Sequence, residues 1–211
     1  MNNRQLLIWT VALLPAAYLA TIYSSLPELV PVHFNLRGEA DSWAPRGWLW
    51  LLALGGPLLM AAIVRWGFRR ALAVMPPGKR FWLSLVSVTG MSAVFGFVIH
   101  ASASGGIHQM SALFLITGAF FAALGNFFPA LPQNAVVGFR TPKTLRSERN
   151  WRATHRIAGR CWVIAGLLSV VAALVLPGNW PAYTFLSLML VATVVPLAYS
   201  ERFSEGEDGL V

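Results

Sequence analysis

The sequence predicts an all-α membrane protein with six transmembrane helices. Both termini are expected in the cytoplasm, with a basic amphipathic cytoplasmic helix before the fifth span. Three observations carry this prediction. First, 56% of the 211 residues are hydrophobic and only 11% are charged, and the mean hydropathy is +0.61. Soluble domains carry about 25% charged residues, and a chain this short cannot bury so much apolar surface in a core of its own. Second, six apolar runs, at 5–23, 47–66, 81–101, 110–128, 159–176 and 183–199, each approach the roughly 17–25 residues that a helix needs to cross the hydrocarbon. Third, the basic residues are unevenly divided between the connections.

That division sets the expected orientation. With the N-terminus inside, the inner segments hold Arg4; Arg65, Arg69, Arg70, Lys79 and Arg80; Arg140, Lys143, Arg146, Arg149, Arg152, Arg156 and Arg160; and Arg202. The outer segments hold only Arg37 and Arg46. Lys and Arg, rather than net charge, decide which loops stay inside. The same bias accounts for the net charge of +8, which in a soluble chain would suggest nucleic acid. No direct nucleic-acid partner is expected; the lipid bilayer is. Trp48, Trp50, Trp66, Trp82, Trp162 and Tyr199 fall near span ends, where aromatic belts form.

The first span follows Arg4 and contains Pro15. It lacks a persuasive cleavage site and five more spans follow, so it reads as a retained helix rather than a signal peptide. Residues 1–66 are expected to form an N-terminal two-span module around an extracytoplasmic loop, and residues 67–211 a four-span region with a basic cytoplasmic loop at 125–160.

The outer loop, 24–46, holds Glu28, Glu39 and Asp41 among its acids. Pro27 and Pro31 favour extended backbone before them, and Gly38 suits a turn with positive φ. The loop is too short for its own core and must lean on helices or lipid, with Phe34 and Trp43 as interface anchors. His33 and Asp41, with His100 and His108, raise the possibility of a metal site, but the spacing is not that of a metal motif. A loop locked by a His33–Asp41 hydrogen bond is the reading we adopt, and no metal or cofactor is expected.

The third and fourth spans carry small residues four apart, Ser92 with Gly96 and Gly118 with Ala122. That spacing lets helices approach closely, and the short connection predicts that these two spans pack as an antiparallel pair. Only Arg65 and Arg160 touch the spans, both at cytoplasmic ends where they can snorkel. Ion-coupled carriers usually hold an ionisable group at depth, so that class is disfavoured. The two long connections each follow the first span of a three-span half, as in an inverted repeat, but they share no convincing sequence. Cys161 reads as a small packed thiol.

The inner segment 125–160 carries seven of the sixteen Lys and Arg. Gly125, Asn126 and Pro129 end the fourth span, and Asn126 is placed to hydrogen-bond freed carbonyls. Asn134 and Gly138 read as turn positions. Arg140, Thr141 and Pro142 present a guanidinium, a hydroxyl and a rigid bend, and a guanidinium can grip a carboxylate or phosphate. Ser147 can cap a helix that runs through Arg160 into the fifth span, with Glu148 suiting its dipole. Arg146, Arg149, Arg152, Arg156 and Arg160 fall on one face of it. Trp151, Thr154, Ala158 and Trp162 fall opposite, and Trp151 is expected to dip into the membrane interface. A partner or substrate dock is the alternative.

The string G-F-R-T-P-K-T (138–144), with Ser147-Glu148 and W-x-x-T-H-R-x-x-G (151–159), resembles the SdpI family of bacterial membrane proteins. The outer run L-P-x-x-V-P-V-H-F-N-x-x-G-x-x-D (26–41) resembles the small module that often precedes it. Lys143 departs from the aromatic common in that family. The resemblance implies a multi-pass protein of the bacterial cytoplasmic membrane. The family's founding member protects against a secreted peptide that collapses the membrane potential, and it sequesters a repressor at the membrane once toxin binds. The resemblance carries over His33, Gly38 and Asp41 outside. Inside it carries over Asn126, Asn134, Gly138, Arg140, Thr141, Pro142, Trp151, His155 and Gly159, to which the basic face adds Arg149 and Arg152 as partner contacts. A peptide toxin outside and a repressor inside are the implied partners. Two other classes stay open. One is a small envelope or transport protein without a toxin. The other is a membrane-surface enzyme with His155 as general base and Arg140 with Arg152 holding phosphate. The chain has no paired carboxylate, nucleophile elbow or metal signature, so no enzyme activity is expected.

Overall fold

The computed structural model describes residues 2–106 and 110–203. His108 and the tail acids Glu205, Glu207 and Asp208 lie outside the described residues. The described chain is mostly helical, and six helices are long and apolar enough to cross a membrane. They span Asn3–Ser25, Trp48–Gly67, Pro77–Ala103, Met110–Ala130, Glu148–Val175 and Trp180–Arg202, one at each predicted run. Their outward surfaces stay apolar: Leu14, Leu59, Leu167, Leu174 and Leu190 are all exposed. Such a surface is unfavourable in water and suited to lipid.

Helix ends follow local chemistry. Asn2 caps the first helix by accepting from the Gln5 amide. Ser147 caps the fifth by accepting from the Asn150 amide at 3.2 Å. The fifth helix is continuous for 28 residues from Glu148, so the arginine-bearing turns and the apolar span are one rod. The second helix is less regular. Two π-helical stretches, Leu51–Gly55 and Ile63–Gly67, interrupt it. Between them Gly56 lies under the Phe95 ring, and a Cβ there would come within 2.0 Å of Phe95 Cε2.

The first helix packs on the third, and the fifth packs between the fourth and the sixth. The third and fourth helices pack against each other as expected, but Ser92 and Gly96 do not make that contact. Ser92 instead donates to the Val11 carbonyl of the first helix at 3.0 Å, and Gly96 has no neighbour within 4 Å of its Cβ position. The third and fourth helices meet where the Phe120 ring covers Gly90. Gly118 and Gly125 of the fourth helix face Gly166 and Gly159 of the fifth. A Cβ on Gly166 would lie 2.5 Å from Ala122 N and Gly118 O, and one on Gly159 would lie 2.9 Å from Gly125 O. Two glycines seven apart on each helix therefore bring these two backbones into contact. The spacing identified Gly118 and Ala122 as close-packing residues, and the structure gives them the fifth helix as partner.

Residues 24–46 hold the one sheet among the described residues. Strand β1, Leu29–Phe34, pairs antiparallel with β2, Ala40–Pro45. Pro31 has no amide hydrogen to donate, and the ladder slips between Pro31 and His33 and again before Phe34. The hairpin leans on the helices as expected: Val30 and Leu26 are buried with Leu19, Leu49 and Ile99.

Candidate functional site

Residues 125–160 form a folded unit rather than a connecting loop. The chain leaves the fourth helix in a 3-10 turn at Phe128–Ala130. Asn134 then ties a turn to itself. Its Oδ1 accepts from the amides of Val136 and Val137 at 2.8 and 2.9 Å, and its amide nitrogen donates to the carbonyls of Pro132 and Val137. Asparagine suits this because its short side chain imitates a backbone turn. Gly138 follows with φ +115°, a region that side-chain-bearing residues rarely enter. A Cβ at this position would also lie 2.3 Å from His155 Nε2.

Thr141 and Thr144 form a reciprocal capping box around the short helix Pro142–Arg146. The Thr144 amide donates to Thr141 Oγ1 at 3.2 Å, and the Thr141 amide donates to Thr144 Oγ1 at 2.9 Å. Pro142 occupies the first turn, where its missing N–H costs nothing. Thr144 is fully buried and also donates to the Phe139 carbonyl at 2.8 Å, which locks Phe139 to the turn that follows it.

His155 is the centre of this unit. Its Nδ1 bonds the Trp151 carbonyl at 2.8 Å, and its Nε2 accepts from the Phe139 amide at 3.0 Å. One nitrogen must therefore donate and the other accept, which describes the neutral ring with its hydrogen on Nδ1. With both nitrogens engaged and 1% of the residue exposed, the ring has no lone pair left for general-base chemistry. Trp151 lies stacked on it and donates its indole N–H to the Leu131 carbonyl at 2.8 Å. Trp151 thus faces the protein interior, not the membrane interface. Phe128 and Phe139 meet the His155 ring edge-on. Gly159, one turn on from His155, lets Pro129 pack against the fifth helix.

The sixth helix closes the unit from the other side. Asn150 is buried, donates to the Ser200 carbonyl at 2.9 Å and accepts from Thr154 Oγ1 at 2.9 Å. Ser200 Oγ lies 3.2 Å from Thr141 Oγ1. Lys143 donates to the Glu201 carbonyl and sits 3.8 Å from its carboxylate. Asn150, Thr144 and Ser200 escaped the sequence reading. Their signal was faint: isolated polar residues beside a basic run, where burial is not the first expectation.

The remaining residues form the outer surface of this scaffold. Arg140, Arg146, Arg149, Arg152, Arg156 and Arg160 are all exposed. Arg140 donates to the Ala135 carbonyl at 2.9 Å, and Arg152 pairs with Glu148 at 2.6 Å. Asn126 is exposed at the end of the fourth helix instead of capping its carbonyls. Beside Arg140 opens a cavity of about 410 Å³ lined by Phe128, Phe139, Trp162, Thr193 and Leu197. The Trp162 indole N–H is buried there without a hydrogen-bond partner.

On the hairpin, His33 Nδ1 lies 2.5 Å from Asp41 Oδ1, joining the two strands as the sequence suggested. Asn35 organises the tip: its Oδ1 accepts from the amides of Arg37 and Glu39, and its amide nitrogen donates to Glu39 Oε2. Gly38 has φ +80° and donates its amide to the Asn35 carbonyl at 2.9 Å. Arg46 anchors the hairpin base, donating to the Leu26 carbonyl at 2.8 Å and lying over the Tyr23 ring. Trp43, Leu29 and Leu36 remain exposed. His100 bonds Tyr18 at 2.9 Å and is not joined to the His33–Asp41 pair.

Comparison with known proteins finds two separate matching stretches. Residues 130–200 match the SdpI/YfhL protein family, and residues 10–56 match a domain of unknown function (DUF1648). Over 92 residues the chain is 28% identical to the immunity protein SdpI of Bacillus subtilis (strain 168). That stretch covers 44% of this chain and 44% of the relative, so the similarity spans less than half of either protein. No solved structure matches.

Proposed function

Because residues 130–200 match the SdpI/YfhL protein family, we propose that this chain is an immunity-type protein of the bacterial cytoplasmic membrane. It protects its cell against a secreted, membrane-active peptide and signals by holding a repressor at the inner surface. The observation that carries the proposal is the division of labour within residues 125–160. Buried Asn150, Trp151 and His155 fix the backbone, and the arginines on the opposite face of the same helix stay exposed. A row of guanidiniums on a fixed helix suits recognition of carboxylates on a partner, because little backbone freedom remains to be lost on binding. Outside, the hairpin offers exposed Trp43, Leu29 and Leu36 beside His33 and Asp41, a mixed surface that an amphipathic peptide can meet.

The test has two arms. Cells sensitive to the peptide toxin are given this chain, and survival is scored with insertion checked by a reporter fused after Lys143. Survival with the reporter inside is the expected result; correct insertion without protection overturns the resistance role. In the second arm a fluorescent repressor is followed with Arg149, Arg152 and Arg156 changed to Glu. Retained protection with lost membrane recruitment is expected, and unchanged recruitment overturns the docking role.

A further inference from the structure

Four arginines converge on a cavity that the reading above does not use. It has a volume of about 440 Å³ and lies where the first three helices end together. Arg4 comes from the first turn of the first helix, Arg65 from the last turn of the second, Arg69 from the turn just after it, and Arg80 from the first turn of the third. No Asp or Glu is among the residues that line it. Its apolar side includes Trp9 and Phe81, and Phe81 lies under the Arg4 guanidinium at 5.2 Å.

Sidedness alone does not explain this convergence. The positive-inside bias asks only that basic residues lie in the connection. Arg70 and Lys79 belong to the same connection and do not line the cavity. Four like charges around one space repel each other unless an anion sits among them. The second π-helical stretch, Ile63–Gly67, places Val64 and Arg65 on the cavity; such local widening is frequent at functional sites. The site is two-sided, cationic toward the helix ends and apolar toward the spans.

We infer that this cavity binds the phosphodiester headgroup of an anionic membrane lipid, with an acyl chain running along Trp9 and Phe81. Guanidiniums bind phosphate oxygens two at a time, and basic pockets between transmembrane helices suit such headgroups. The inference does not depend on the immunity role.

The probe is dioleoyl phosphatidylglycerol, titrated into the purified, delipidated full chain in neutral detergent. Binding is followed by Trp fluorescence and native mass spectrometry. Saturable binding of one lipid is expected, with phosphatidylcholine far weaker. Arg65→Gln with Arg69→Gln weakens binding by about fivefold for each arginine removed, while Arg156→Gln with Arg160→Gln leaves it unchanged. Arg65→Lys with Arg69→Lys keeps most of it. Equal binding of phosphatidylcholine overturns the inference. So does inorganic phosphate binding as tightly as the lipid, which would indicate a free-anion site. An equal loss in the Arg156/Arg160 pair also overturns it, since the effect would then be diffuse charge. Should the Gln pair fail to fold, the choice between the two lipids by the unaltered chain still decides.

Discussion

The indole of Trp151 stacks on the imidazole of His155, with ring centroids 4.0 Å apart and planes 22° from parallel. The two residues are one helical turn apart, so the fifth helix brings them together by its own geometry. Each then reaches a different part of the inner segment, Trp151 to the Leu131 carbonyl and His155 to the Phe139 amide. Residues 131–139 are thereby held to the helix at both ends. His155→Ala leaves the Phe139 amide buried without an acceptor and opens a cavity. It is expected to cost about 3 kcal/mol. A thermal melt of the purified protein should fall well below the native midpoint, and an unchanged midpoint would remove His155 from the centre of the fold.

Gly138 and Gly178 separate two effects of positive φ. Gly178→Ala meets nothing within 4 Å and suffers only from φ +57°, a cost of about 1 kcal/mol. Gly138→Ala at φ +115° also drives a methyl to within 2.3 Å of His155 Nε2. Its melting point should drop further than that of Gly178→Ala, and limited proteolysis should cut near residue 138 first.

The glycine contact between the fourth and fifth helices gives a third comparison. Gly166→Ala puts a methyl 2.5 Å from backbone atoms that cannot move aside without separating the helices. A loss of about 1–3 kcal/mol is expected from the overpacking. Gly96→Ala meets open space and should gain up to about 1 kcal/mol from helix propensity. Opposite shifts in the two melting points are the expected result, and shifts of the same sign would contradict the packing described.

The His33–Asp41 contact is an exposed one, with side chains 70% and 45% accessible. Asp41→Asn should therefore change stability by less than about 1 kcal/mol. If the hairpin meets a peptide, protection should fall in the survival assay while the melting point holds. A parallel fall in both would mark the pair as structural only.

Much of the fold was legible because it rests on local quantities. The Ser147 cap lay within a few residues of its partner, and so did the His33–Asp41 pair, two strands of one hairpin. The Trp151 environment was not legible. Helical periodicity placed Trp151 opposite the arginines, but a face opposite charge can meet lipid or protein, and periodicity is the same for both. Asn150 and Ser200 are fifty residues apart in sequence and touch only because the sixth helix returns beside the fifth. The extended backbone that the prolines favoured does pair into a hairpin, with a shift in register beside Pro31.

The sequence by itself determined that this chain is built of six apolar helices around two polar segments, since length and hydropathy are set residue by residue. The tertiary structure alone decided which polar residues become interior: Asn150, Thr144, Thr154 and His155 are buried because each finds a partner delivered by another turn or another helix. A polar group is stable away from water only when its hydrogen bonds are met. For Asn150 and His155 that condition depends on contacts distant in sequence, and no reading of neighbours along the chain contains them.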